Sequence, residues 1–338
     1  MKLIILSILV LITISLAVED TAVTDMLALL SENNLSGRLA WVSDRYGDSD
    51  IFFMDLSEGR PKRVCAFEGE DRHPVLSPEG WRIAWVSEMF GQPDIILVHL
   101  GPYGHTRSLV RLTDTPDTER DLDWSADGER LYFSVLEEPD LSSISLFTDP
   151  ASIENGMIDE ISALYYCRTM TGDIDNQSLE PGNYRYPCHV SGFGIVCALR
   201  AWESGALAKL AYVHDALVTS DFPTPGDEVL GPIRRYPNGE LLVPFRRADQ
   251  LYYTRIVPES GEVVSEYSSS WDRLNPVPDP ADGGSDWYIC QTAQSGEPDS
   301  EILFIYGLQS SVEPEMIPLT QNDFYDGEPS WVVLEKVD

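Results

Sequence analysis

Arg38-Leu39-Ala40-Trp41-Val42-Ser43 returns as Arg82-Ile83-Ala84-Trp85-Val86-Ser87, and in looser form as Arg130-Leu131-Tyr132-Phe133-Ser134. The copies start 44 and then 48 residues apart, the period of stacked four-stranded propeller blades and too long for leucine-rich or ankyrin units. Outward from each copy, a turn at Tyr46-Gly47-Asp48-Ser49 or Phe90-Gly91-Gln92-Pro93 leads to a second apolar run, Asp50 to Asp55 or Asp94 to His99. A shorter strand follows, Arg63 to Ala66 or Leu109 to Thr113, and then His73 to Gly80 or Asp121 to Gly128, before the phrase begins again. Apolar runs bounded by Gly, Asp and Pro read as hairpin strands.

Later units are more degenerate. The third carries an insertion around Leu141 to Asp159 and resumes at Ile161 to Cys167. The fourth opens at Gly194 to Leu199 with Leu207 to Val213 as partner, the fifth at Glu240 to Phe245 with Leu251 to Val257, and the sixth at Trp287 to Gln291 with Glu301 to Tyr306 and Met316 to Thr320. Six openings predict an all-β, six-bladed propeller of four-stranded antiparallel blades over residues 37–338. Gly327-Glu328-Pro329-Ser330-Trp331 looks like an inner strand left without a successor. It is expected as Glu328 to Val333 beside Arg38 to Ser43, closing the ring and hiding both sheet edges.

At Ser43-Asp44-Arg45-Tyr46-Gly47, Ser77-Pro78-Glu79-Gly80 and Trp124-Ser125-Ala126-Asp127-Gly128 the chain resembles the TolB-like propeller repeat, whose units run approximately H-P-x-W-S-P-D-G-x-x-I-A-F-x-S-D-R-x-G. The resemblance covers the propeller part alone, because the α/β domain that precedes it in the family's namesake has no counterpart before Arg38. What it implies is one propeller face that binds a protein or peptide; fold by itself does not fix function.

The apolar run Leu3 to Val18 after Met1-Lys2, with Ala17 before Glu19-Asp20, reads as a signal peptide over residues 1–18. It is shorter than the roughly 20 residues that span a bilayer. The expected location is periplasmic or extracellular, without stable membrane insertion. Within residues 19–36, Ala22, Val23, Met26, Leu27 and Leu30 fall at helical spacing and predict a short amphipathic helix. A net charge of −33 repels phosphate backbones and anionic lipid, which excludes nucleic acid as a partner and leaves a monomeric acidic protein as the expectation.

None of the five cysteines forms a C-x-x-C pair, so zinc has no support. If Cys188 and Cys197 flank a tight turn at Ser191 to Gly194, their thiols could meet across adjacent strands as a disulfide; a one-residue slip would put them on opposite faces as small buried apolar groups.

Propellers hold ligands at the mouth of the channel, among the loops entering the inner strands. Those loops place Arg72, Arg120, Arg185 and Arg273 at similar positions in four blades. Such a partial ring could hold a carboxylate or sulfate bidentately. Alternatively, each arginine pairs with an acid of its own or the next blade, such as Asp71, Glu119 or Asp272, and locks blade to blade. Asp121, Asp326, His73 and His189 complete the candidate rim. Oligogalacturonate lyases, on a related propeller, hold a metal with several histidines. Their pattern does not map onto His73 and His189, and no metal or other cofactor is expected. Gly283-Gly284-Ser285-Asp286-Trp287 lacks the last glycine of the hydrolase elbow G-x-S-x-G, and no catalytic residue is assigned. The sequence points to a non-catalytic propeller that binds a protein or peptide at one face of its channel. The rival is a polysaccharide lyase or glycoside hydrolase working in the channel mouth, where two facing carboxylates would suffice. A third reading is a purely structural domain of a surface assembly.

Overall fold

The phrase Arg-Leu-Ala-Trp-Val-Ser is buried along its whole length, Arg38–Ser43, because the sheet that carries it is sandwiched between two others. The computed structural model describes residues 26–333 except 65, 102–103, 138–160, 178–181, 201–205, 215–216, 220–224, 249, 269–273, 279, 281–286, 294–299, 307–314, 321 and 323. The signal segment, the insertion at 141–159 and Arg273 lie outside the described residues.

Side chains of the phrase divide by parity, as pleated strands require. Leu39 and Trp41 pack with Ile289 and Phe304 of the last blade, whereas Ala40 and Val42 share a cluster with Leu76, Ile83 and Trp85 of the second. The next copy repeats the division, with Ala84 and Val86 clustered with Trp124, Leu131 and Phe133 of the third blade. In these two blades the larger residues therefore point one way round the ring and the smaller ones the other, so that Trp85 of the second blade fills the room Ala40 leaves in the first. The leading arginine adds a polar lock. Arg38 Nη1 donates to the Gly80 carbonyl at 2.7 Å with its guanidinium 3.8 Å over the Trp81 ring, and Arg82 Nη2 donates to the Gly128 carbonyl at 3.0 Å with its guanidinium 4.7 Å over Trp124. Both accepting glycines end a turn at φ near +70°, a conformation other residues rarely adopt.

Six blades result. Their inner strands are Asp71–Leu76, Thr118–Trp124, Asn183–Val190, the pair Glu228–Val229 and Arg234–Arg235, Leu274–Pro278 and Asp326–Val332, each followed round the ring by the next. A parallel bridge between Ser162 and Asn183 joins the third and fourth blades at one corner. In the fifth blade the inner strand is broken. Val229 lies opposite Phe245 and Arg234 opposite Leu242, so residues 230–233 swing out of the ladder. The helix at 26–32 sets Leu30 against the cluster shared by the first and last blades, with Met26 packed beside it.

The chain's last strand closes the ring as anticipated, Asp326–Val332 running antiparallel to Arg38–Ser43. Asp326 is the latch. Its carboxylate accepts from Trp41 Nε1 at 3.0 Å, Arg45 Nη2 at 2.9 Å and Asn322 Nδ2 at 2.7 Å, and its side chain is fully buried. The cysteines take the second of the two arrangements that the sequence leaves open. Cys188 lies opposite Val196, one residue out of register with Cys197, so Cys188 packs towards the fifth blade and Cys197 towards the third. Both thiols are free, and burial pushes each up to about 12.

Asp71 and Glu119 occupy the place of Asp326 in the second and third blades, opposite Ser87 and Val135 as Asp326 is opposite Ser43. The third phrase carries Phe133 where the first has Trp41, so no indole N–H reaches Glu119. Burial outweighs the hydrogen bonds from Thr115 and Thr113 and pushes the Glu119 carboxyl up to about 7, with Oε2 left without a partner. The folded protein thus keeps a proton that the unfolded chain releases above its ordinary value of 4.5, and stability falls as pH rises from there to about 7.

Two outcomes follow from these carboxylates. Asp326→Ala should lower unfolding free energy by about 2 kcal/mol, because the half-buried Arg45 and Asn322 and the buried Trp41 N–H lose their acceptor; urea unfolding measures it. Glu119→Gln should remove a stability loss of order 3 kcal/mol between pH 4.5 and 8. Urea midpoints at the two pH values should then differ less in the variant than in the parent, and an unchanged difference contradicts the assignment.

Candidate functional site

Each inner strand except that of the fifth blade carries one extra residue against its neighbour. The register slips between Arg72 and Val75, Arg120 and Asp123, Arg185 and Cys188, Leu274 and Val277, and opposite Ala40 and Val42 in the closing strand. His73, Asp121, Tyr186 and Glu328 sit at these bulges with φ of 53° to 57°, left-handed conformations for residues that have a Cβ. Pro74, Pro187 and Pro329 follow three of them. Proline suits the place, since the bulged position offers no ladder bond for an N–H to make.

The left-handed turn aims the backbone N–H of the bulged residue at the preceding blade. His73 N donates to Glu328 Oε2 at 2.6 Å, Tyr186 N to Asp121 Oδ2 at 3.4 Å, and Glu328 N to Gln291 Oε1 at 3.1 Å. A second tier lies below: Leu76 N donates to Ser330 Oγ at 3.0 Å and His189 N to Asp123 Oδ2 at 2.9 Å. The acids of the rim are thereby fixed as caps of the next blade's backbone.

The predicted site residues part company. Arg185 grips Asp121 through Nε and through Nη2 at 3.1 Å, a blade-to-blade pairing of the kind set against a ligand ring, but with an acid of the preceding blade that was itself a rim candidate. Arg72 is exposed and pairs with Glu70 at 3.0 Å, Arg120 is half-buried, and Asp326 lies inside the wall as the latch. The His73 imidazole lies 3.4 Å from Glu328 at the mouth. His189 stacks flat on Tyr132, rings 5.2 Å apart, between the third and fourth blades, and burial holds it below its ordinary value. Among the described residues no group of three or more His, Cys, Asp or Glu is placed to hold a metal ion.

Two cavities meet in the channel. The upper, on the face where chains enter the inner strands, has a volume of about 180 Å³ and is bordered by His73, Asp121, Arg185, Tyr186, Arg234 and Glu328. The lower, of about 790 Å³, is bordered by Trp81, Trp124, Tyr236 and Trp331. Asp123 and Arg234 border both and form the waist. Burial raises the Asp123 carboxyl, against the pull of Arg235 and the His189 N–H. Sequence reasoning missed Arg234 because its strand is broken. Aligning the turn Tyr236-Pro237-Asn238-Gly239 with Ser77-Pro78-Glu79-Gly80 would have put Arg234 level with Val75 and Asp123.

Six sheets around a channel, sealed by the last strand, make this a six-bladed β-propeller. No family model matches the sequence, and no curated protein matches it. Among solved structures, TolB from Acinetobacter baumannii superposes with a TM-score of 0.62 at 14% identity, over 87% of this chain and 66% of that one. The hydrazine synthase of Kuenenia stuttgartiensis gives 0.62 at 13% identity, over 89% of this chain and 47% of that one. Oligogalacturonate lyase from Vibrio parahaemolyticus gives 0.53 at 10% identity, over 83% and 74%. The chain spans about half to two thirds of the length of the first two. The likeness shows the fold alone.

The bulge strain is measurable. His73→Gly and His73→Val both remove the contact to Glu328, but only the β-branched residue is penalised at a φ of 56°. The Val variant should be the less stable of the two by about 1 kcal/mol or more in urea unfolding.

Proposed function

We propose that this propeller is a non-catalytic binding scaffold that acts outside the cytoplasm and takes a protein or peptide ligand on the face holding the upper mouth. The observation that carries the reading is a repeated, pre-ordered aromatic arrangement on that face. In the first blade the buried Asp50 holds Arg63 at 2.6 Å, and the Arg63 guanidinium lies 4.8 Å over the exposed ring of Tyr46. In the second, Asp94 holds Arg111 at 2.6 Å, and Arg111 lies 4.6 Å over the exposed ring of Phe90. Phe67 and Phe324, also exposed, lie in loops on the same face. Exposed aromatic side chains fixed by stacked arginines offer large contact area at small entropic cost, which is how binding hot spots are composed.

The channel mouth supports the same reading. Asp121, Asp123 and Glu328, the carboxylates a glycan-cleaving site would need, each accept a backbone N–H from the next blade. They brace the wall instead of converging on open space. The apolar run at residues 3–18 supports export, and the charge of −33 disfavours nucleic acid.

The test is selection of a displayed random-peptide library on the parent protein, followed by affinity measurement on a Tyr46→Ala/Phe90→Ala double variant. Selected peptides should lose about tenfold or more in affinity, roughly 1.4 kcal/mol. Undiminished binding to the double variant, or turnover of polygalacturonate by the parent protein, would overturn the proposal.

A further inference from the structure

The waist of the channel holds a cation with nothing to bind. Arg234 borders both cavities, its Nε is fully buried without a hydrogen-bond partner, and among the described residues its guanidinium makes neither a hydrogen bond nor an ion pair. Its electrostatic neighbours are Asp123, Asp121 and Glu328. Each of these is engaged elsewhere: Asp123 by His189 N and Asp121 by Arg185 and Tyr186 N, while Glu328 is held by His73. Arg234 stands at the level where the other blades carry the small or apolar Val75, Cys188, Val277 and Ser330, apart from Asp123. Of the five N–H donors of this half-buried arginine, Nε is buried without an acceptor and cannot be discharged by losing a proton, which is unfavourable.

We propose that Arg234 is the receptor for a single carboxylate that enters through the upper mouth, borne by the ligand of the proposed binding face. The inference deepens that reading by naming the ligand's anchoring group. The anion should be singly charged: three acids surround the guanidinium, and the protein's overall charge is −33, so a phosphate dianion would meet more repulsion than one cation offsets. A cavity of about 180 Å³ admits a carboxylate on a narrow chain and excludes a folded domain. Two oxygens of a carboxylate match the planar edge of a guanidinium, which a lysine would not reproduce.

Calorimetric titration at fixed ionic strength tests this with small probes, independently of any selected peptide. Acetyl-diglycine carries a terminal carboxylate, acetyl-diglycine amide carries none, and acetyl-glutamate α-amide presents a side-chain carboxylate alone. At least one acid should bind the parent protein while the amide does not, and the acid that binds identifies the terminus or the side chain as the source. Arg234→Met should weaken acid binding about tenfold or more, and Arg234→Lys should restore it only in part. The Met variant should also melt no lower than the parent without ligand, because a half-buried cation whose buried Nε lacks an acceptor has been removed. Equal affinity of the parent for acid and amide, no acid binding at millimolar concentration, or undiminished acid binding by the Met variant would each overturn the inference. A lower melting temperature of the Met variant with no acid-induced stabilisation of the parent would instead make Arg234 a structural residue. Because the probes never touch Tyr46 or Phe90, failure here leaves the aromatic-face reading to its own test.

Discussion

Every sheet in this molecule has to be buried on both faces, and that requirement governs the rest. A sheet with one wet face can be patterned apolar on alternate residues, but Arg38–Ser43 is buried at every position and needs two different dry partners. Assigning Trp41 and Leu39 to one neighbour and Ala40 and Val42 to the other gives the packing of this blade a direction, large against small, that the second blade repeats. A direction of this kind leaves the first and last sheets with unmatched faces unless they meet. The closing strand brings them together, and the charged group that fastens it, Asp326, is held by Trp41 of the very phrase whose packing demands closure.

The same geometry decides what the channel can offer. Inner strands approach one another at the axis, so each gains an extra residue, and the left-handed turn at that residue would strand an N–H were it not for a carboxylate or amide from the preceding blade. The acids at the mouth are consequences of the bulges. Of the rim that reads in sequence as a candidate binding face, Asp121 and Glu328 accept backbone N–H groups of the next blade, and the one inner strand that departs from the bulge scheme is the one that carries Arg234. Departures from a repeat, more than the repeat itself, mark where a propeller differs from its relatives in chemistry.

Much of the architecture was legible because period and parity are written in single residues. The 44-residue spacing, the six openings and the unpaired tail at Gly327 to Trp331 all survive in the structure. Parity at a distance of one residue was left open. A turn over Ser191 to Gly194 makes Cys188 and Cys197 equidistant from it, but Gly194 already pairs with Val190, so the loop is one residue shorter and Val196 lies opposite Cys188. Equivalent positions also proved unequal in environment. Arg72 and Arg185 align by sequence, but Glu70 draws the first outward while Asp121 holds the second against the wall. Glu119 was offered as an acid able to pair with an arginine, and the exchange of Trp41 for Phe133 in its blade leaves it partnered only by threonines.

The two faces of the propeller therefore carry different kinds of order. On the lower face, the Arg38 and Arg82 guanidiniums stack on Trp81 and Trp124 while hydrogen-bonding glycine carbonyls of the next blade, so removing either arginine would loosen a blade contact. On the upper face, Arg63 and Arg111 are held by acids of their own blades and stack on rings that pack against no neighbouring blade. Stacking that joins two blades is explained by the fold. Stacking that orders an exposed Tyr46 and Phe90 in two successive blades adds little to stability and leaves apolar surface in water, a cost that the fold alone does not require and that contact with a partner would recover.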